Sequence, residues 1–120
     1  MEEIITVISV REYDCSKYVN QEHRKYLGVD VRGVSLLVFG FDENSQKVTF
    51  FTPVVYVGTD IMNDFKQSFN KNVGGFFKVE NNKVVPVIKH GDIIRVSYKK
   101  QEMTNYGQRR LRIVRLEEIR

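Results

Sequence analysis

Val34-Ser35-Leu36-Leu37-Val38-Phe39-Gly40-Phe41 is followed by Asp42-Glu43-Asn44-Ser45-Gln46 and then by Lys47-Val48-Thr49-Phe50-Phe51-Thr52. Two short runs rich in β-branched and aromatic residues thus flank five turn formers, the pattern of a β-hairpin. Pro53 ends the second arm, because proline has no N–H to give to a ladder. Side chains alternate between the two faces of a strand, so the adjacent Phe50 and Phe51 point opposite ways and at least one of them leaves the core. Placing Leu36 and Val38 inside turns Phe39 and Phe41 outward, whereas the opposite register buries them with Leu37. On the second arm, Phe51 outward with Thr49 stands against Phe50 inward with Val48.

Reading outward from this hairpin gives more strands. Ile4 to Val10 is almost wholly β-branched and short, which favours a strand. Residues 14 to 32 are polar, punctuated by Gly28 and Gly33, and read as a long connection. After Gly58, Thr59-Asp60 supplies N-cap chemistry, Ile61, Met62, Phe65 and Phe69 recur at helical spacing, and Asn72 with Gly74-Gly75 stops the element. An amphipathic helix of about three turns is predicted there, its aromatic stripe packed into the core. Phe76–Glu80, Asn81-Asn82 and Lys83–Ile88 form a smaller hairpin whose Pro86 arm belongs at an edge. His90-Gly91-Asp92 then turns the chain into Ile93–Lys100, with Ile94, Val96 and Tyr98 inward and Arg95, Ser97 and Lys99 outward. A loop from Gln101 to Gln108, holding Tyr106-Gly107, leads to a last strand, Arg109–Leu116, with Leu111 and Ile113 on one face and Arg110 and Arg112 on the other.

At 120 residues the chain fits one domain, 1–120, and its 42% hydrophobic and 28% charged content is that of a globular protein. Its apolar runs fall short of the roughly 20 residues that cross a bilayer, so no membrane association is expected. Met1-Glu2-Glu3 lacks the basic start of a secretion signal, and a single cysteine, Cys15, suits a reducing compartment; a cytoplasmic location is expected. The net charge is +4, and the last 32 residues carry 9 Lys/Arg against 4 Asp/Glu while the first 88 carry 10 against 11. Such asymmetry points to an anionic partner, or else to a solvated basic face.

One strand, a hairpin, a helix and two closing strands is the element order of a five-stranded OB-type Greek-key barrel with an extra small hairpin. Gly33 to Thr52, Gly91-Asp92-Ile93-Ile94-Arg95-Val96, and Asn105-Tyr106-Gly107-Gln108-Arg109-Arg110-Leu111-Arg112-Ile113-Val114-Arg115 resemble small OB-fold nucleic-acid-binding proteins, including the single-stranded DNA-binding proteins of phages and plasmids. In that family a glycine-aspartate turn enters the fourth strand, a Tyr-x-Gly-like loop follows, and an outward Gln-Thr-x-Leu-x-Arg-like pattern makes the fifth. Here Gln108-Arg109 replaces the Gln-Thr pair, and the chain has no tryptophan. The resemblance covers roughly 50 residues. It implies single-strand binding, DNA before RNA, in replication, recombination or repair, with a homo-oligomer or a replication or recombination protein as partner.

OB domains hold single strands by a basic groove for phosphates and exposed aromatics for bases. The candidates are Phe39, Phe41 and Phe51 as platforms, Arg95, Lys99, Lys100, Arg110 and Arg112 for phosphates, and Tyr106 at a loop tip. The competing assignments are core packing for the rings and protection of strand edges for the cations. No enzyme is expected: His23, His90 and Cys15 have no neighbours at metal or triad spacing, and Gly74-Gly75 lacks the Lys-Ser/Thr of a phosphate loop, so neither metal nor cofactor is expected. The rival reading is a small-barrel protein-interaction module with weak or no affinity for nucleic acid.

Overall fold

The computed structural model describes residues 1–15, 17, 32–57, 74–81 and 83–120. The helix predicted from Thr59-Asp60 through Phe65 and Phe69 lies outside them, as does most of the 14–32 connection. The described residues are mainly β: β1 (Glu2–Asp14), β2 (Arg32–Phe41), β3 (Lys47–Phe51), β4 (Val55–Val57), β5 (Phe77–Glu80), β6 (Lys83–Pro86), β7 (Ile93–Ser97), β8 (Lys100–Met103), β9 (Arg109–Arg112) and β10 (Arg115–Ile119). Eight strands form one sheet in the order β10-β7-β1-β2-β3-β9-β8, with β4 on the start of β2, and β5-β6 is the expected small hairpin. Neighbours pair antiparallel except β3 and β9, which run parallel.

The sheet is strongly curled into a half-barrel, and the residues between β7 and β8 show how. Tyr98 N–H donates to the Met1 carbonyl (2.9 Å), and the next residue, Lys99, donates to the Arg112 carbonyl (3.1 Å). One bent strand therefore passes from β1 to β9 within two residues. The concave side holds the core: Ile5, Val7, Leu36, Val38, Val48, Phe50, Ile94, Val96, Tyr98 and Leu111, joined by Val55, Phe76, Phe77, Ile88 and Val114. Leu36, Val38, Val48 and Phe50 face inward, so the hairpin register is the one that turns Phe39, Phe41 and Phe51 away from the core.

β1 hugs the hairpin so closely that a Cβ on Gly40 would strike the Thr6 carbonyl oxygen and come within 2.7 Å of Ile5 Cγ2. Immediately beyond, the β1–β2 register shifts between Val7 and Ser9. The extra residue, Ile8, is met by the 89–92 turn: its carbonyl pairs with His90 Nδ1, while Val7 N–H donates to the Asp92 carbonyl (2.8 Å) and Gly91 N–H to the Val7 carbonyl (2.8 Å). A bulge of this kind reverses the alternation. Ile5 and Val7 point into the core before it, and Val10 packs on the core after it, so Ser9, Arg11 and Tyr13 emerge on the outside.

Two expected long strands are each broken in two. Ile93–Lys100 stops at Ser97 and resumes as β8, which occupies the start of the expected 101–108 loop. Arg109–Leu116 breaks at Ile113, which adopts φ 58°, a conformation that β-branched residues strongly disfavour. The break swings the chain from the β3 edge to the outer edge of β7 and resets the alternation. Ile113, expected on the same face as Leu111, is 61% exposed, and Val114 is buried in its place.

Candidate functional site

The outer face of β1, β2, β3 and β9 is laid out by register alone. Ser9 stands opposite Phe39, Phe39 opposite Thr49, and Thr49 opposite Arg110, a row across four strands. Arg11, Leu37 and Phe51 form the next row. These residues, with Tyr13 and Gln108, line an open groove. It continues on one side along Phe51, Pro53, Arg112 and Ile113, and on the other along Glu102, Met103, Thr104, Asn105 and Tyr106. Arg110 borders all three stretches.

The aromatics form two ring pairs. Phe39 and Phe41 meet edge-on with centroids 5.9 Å apart, and Tyr13 meets Phe51 edge-on at 5.4 Å. Both contacts are the T-shaped kind that ring quadrupoles favour. Phe51 and Tyr13 are 40% and 46% exposed, so each leaves a face open. Tyr106 sits at the tip of the β8–β9 turn, 91% exposed, where the Thr104 hydroxyl accepts from Gln108 N–H (3.1 Å) and Tyr106 N–H (3.3 Å).

The cations divide sharply. Arg95 lies on β7, away from the groove, held by Glu2 (2.8 Å) and Glu118 (3.2 Å). Arg112 is on the groove but pairs with Glu102 at 3.1 Å. Lys100 stands opposite Arg112 in the β8–β9 ladder with Lys99 just before it, both exposed. The Arg110 side chain forms no hydrogen bond or ion pair with the described residues, and its Nε is buried without an acceptor. The groove thus brings together Phe39, Phe51, Arg110, Arg112 and Tyr106, with Phe41 supporting Phe39 and Lys100 beside Arg112; Arg95 stands apart.

Tyr13, Arg11 and Ser9 were missed in the sequence, because an unbroken alternation from Ile5 and Val7 would have sent all three into the core. The nearest signal was Arg11 and Tyr13 themselves, which suit a water-facing strand and not an interior. Also missed was the cluster on the inner side of β9. There the Arg109 guanidinium binds both Glu3 carboxylate oxygens, one at 2.7 Å, and Asp42 at 2.8 Å, while Gln101 Oε1 accepts from it at 2.8 Å. Burial alone would raise the Glu3 carboxyl, but hydrogen bonds from Arg109 and Tyr98 outweigh it and hold the group below its ordinary value. Burial likewise opposes ionisation of Asp42, and the Gln46 and Asn44 N–H groups with Arg109 reverse it. Arg109 itself is held more firmly protonated, first by its hydrogen bonds to Glu3.

Among the described residues no three His, Cys, Asp or Glu side chains are grouped as a metal site, and no helix is long and apolar enough to cross a membrane. Comparison with protein families, with curated proteins and with solved structures gives no match to this chain.

Proposed function

We propose that this chain is a non-enzymatic OB-type domain that binds single-stranded nucleic acid, DNA in preference to RNA, along the outer groove of β1, β2, β3 and β9. The observation that carries this reading is the groove itself: Phe39 and the Tyr13–Phe51 ring pair beside an arginine with no carboxylate partner among the described residues. Stacking on such rings accepts any base and contributes about 1–3 kcal/mol per base, while the cation meets the backbone. The strand order supports the OB part of the proposal. Taking β7 and β8 as one bent strand, the principal strands run first-second-third-fifth-fourth, with the third and fifth parallel, as a five-stranded Greek-key barrel of this type requires. The exposed β8–β9 turn carrying Tyr106 then flanks the binding face, as loops do in such barrels. A role in replication, recombination or repair in the cytoplasm is the setting that the resemblance of Gly91–Arg115 adds.

The test is fluorescence anisotropy with labelled single-stranded and double-stranded oligonucleotides at two salt concentrations. Tighter binding of the single strand, weakening steeply with salt, is expected. Binding indifferent to salt and to strandedness, or no binding, would overturn the reading and leave the protein-interaction alternative, in which Phe51, Pro53 and Ile113 dock an apolar partner.

A further inference from the structure

Three arginines lie within four residues on β9, and two are already engaged. Arg109 is clamped by Glu3 and Asp42, and Arg112 pairs with Glu102. Arg110 differs from both. Its ladder partner on β8 is Glu102, which turns to Arg112 instead, and its neighbour on β3 is Thr49, whose hydroxyl is spent on the Val38 carbonyl at 3.1 Å. With its Nε covered and without an acceptor among the described residues, this side chain gives up no bond there by lifting toward an anion and gains a partner for Nε.

Its position defines what it would meet. Phe39 is opposite Thr49, and Phe51 is opposite Leu37, so the two side chains leave the sheet from diagonal positions on adjacent strands, which are about 7–8 Å apart in such a ladder. Successive bases of a stacked strand are separated by only about 3.4 Å, so bases resting on these two rings must be splayed apart, one to each. Arg110 ends the Phe39 row on β9 and lines the same groove as Phe51, so it is placed to meet the sugar-phosphate link between them.

Building on the single-strand reading above, we propose that Arg110 is the phosphate anchor of the groove, gripping the one phosphodiester between a base on Phe39 and a base on Phe51. A planar guanidinium fork takes two oxygens of one phosphate, which a lysine ammonium does not, so the anchor depends on arginine and not on charge alone.

The test uses the full chain and a labelled oligothymidylate, in ordinary phosphodiester form and with every linkage replaced by neutral methylphosphonate. Arg110→Gln should fold and melt as the parent does, because it gives up no bond within the protein. On the phosphodiester strand it should bind about 10- to 100-fold more weakly, with the slope of log affinity against log salt smaller by about 0.7. Arg110→Lys should keep most of the salt slope yet recover only a small part of the affinity, and Lys99→Ala with Lys100→Ala should lower affinity only a few-fold. On the methylphosphonate strand the parent and Arg110→Gln should bind alike. The anchor is overturned if the parent binds the phosphodiester strand and Arg110→Gln matches it in affinity and slope, or if Arg110→Lys is fully active. A parent that binds neither strand overturns the single-strand reading and the anchor together, so the two failures are told apart.

Discussion

Removing Arg109 should expose how this fold is held at the open end of its sheet. Its side chain is 16% exposed, and those of Glu3 and Asp42 are 17% and 6%, so Arg109→Met leaves two carboxylates facing each other with little water to screen them. Breaking a buried ion pair costs about 3–5 kcal/mol; solvent at one edge of the cluster brings this to about 2–4 kcal/mol. At a urea slope of about 2 kcal/mol/M, the middle of the usual range, the unfolding midpoint at neutral pH should fall by about 1–2 M. Arg112→Ala is the control. Its pair with Glu102 is about half exposed on both sides, and its loss should cost under about 1 kcal/mol.

The pH dependence distinguishes an ion cluster from ordinary packing. In the parent, Glu3 and Asp42 have folded-state values below their unfolded ones, so their contribution is fully present above the ordinary carboxylate range and is lost as the pH falls below about 4. Without Arg109, burial and the neighbouring Asp42 charge push Glu3 upward against the one lowering hydrogen bond it keeps, from Tyr98, while Asp42 keeps its two backbone N–H donors. The folded value of Glu3 then exceeds its unfolded one, and its protonation on the way from pH 7 to about pH 5 restores stability to the variant. Urea titrations of parent and Arg109→Met across this range should therefore converge toward acid, and adding Glu3→Gln to Arg109→Met should recover part of the loss at pH 7. A stability gap that is absent at pH 7, or constant from pH 7 to 5, would refute the reasoning.

Gly40→Ala should cost about 1–3 kcal/mol or more, because the added carbon meets the Thr6 backbone carbonyl, which cannot retreat without opening the β1–β2 ladder; thermal melting measures this. Phe50→Ala and Phe51→Ala, one residue apart, should separate stability from binding. The former removes a buried ring packed 5.5 Å from Phe76 and should lose about 3–5 kcal/mol of stability. The latter should lose at most about 1.5 kcal/mol, from the Tyr13 contact, but about 1–3 kcal/mol of single-strand affinity; the opposite pattern would place Phe51 in the core.

The hairpin was legible because everything that defines it is local: two apolar runs, a five-residue turn in which Asp42 Oδ1 accepts from Asn44 and Gln46 N–H (2.8 and 2.9 Å), and a proline stop. Its register was not, since Leu36 with Val38 and Leu37 with Phe39 are equally apolar pairs. What decides it is the rest of the sheet, which offers Ile5, Val7, Ile94 and Val96 on one side only. The breaks were illegible for a related reason. Ile113 belongs to a run, Leu111-Arg112-Ile113-Val114, whose alternation reads as continuous strand, and its positive φ arises only because the chain must change edges there. The bulge at Ile8 lies in the most strand-like segment of all, and no local residue marks it. Its cause is the 89–92 turn that pairs with it from more than 80 residues away.

The same long-range logic alters what the basic C-terminal quarter means. Nine Lys and Arg between residues 89 and 120 suggest a broad cationic surface. Four of them are already matched: Arg95 by Glu2 and Glu118, Arg109 by Glu3 and Asp42, Arg112 by Glu102, and Arg120 by Glu118. The strand period assigns the remainder of β9. Arg109 and Leu111 point inward and serve the fold, while Arg110 and Arg112 point outward, and of these two only Arg110 has no carboxylate partner among the described residues. Four of the nine cations therefore cannot be added to a count of phosphate contacts without first breaking an ion pair. If the groove binds a single strand as proposed, its affinity should depend on few phosphates and lean on its rings, and the salt slope should correspond to a handful of contacts and not to nine.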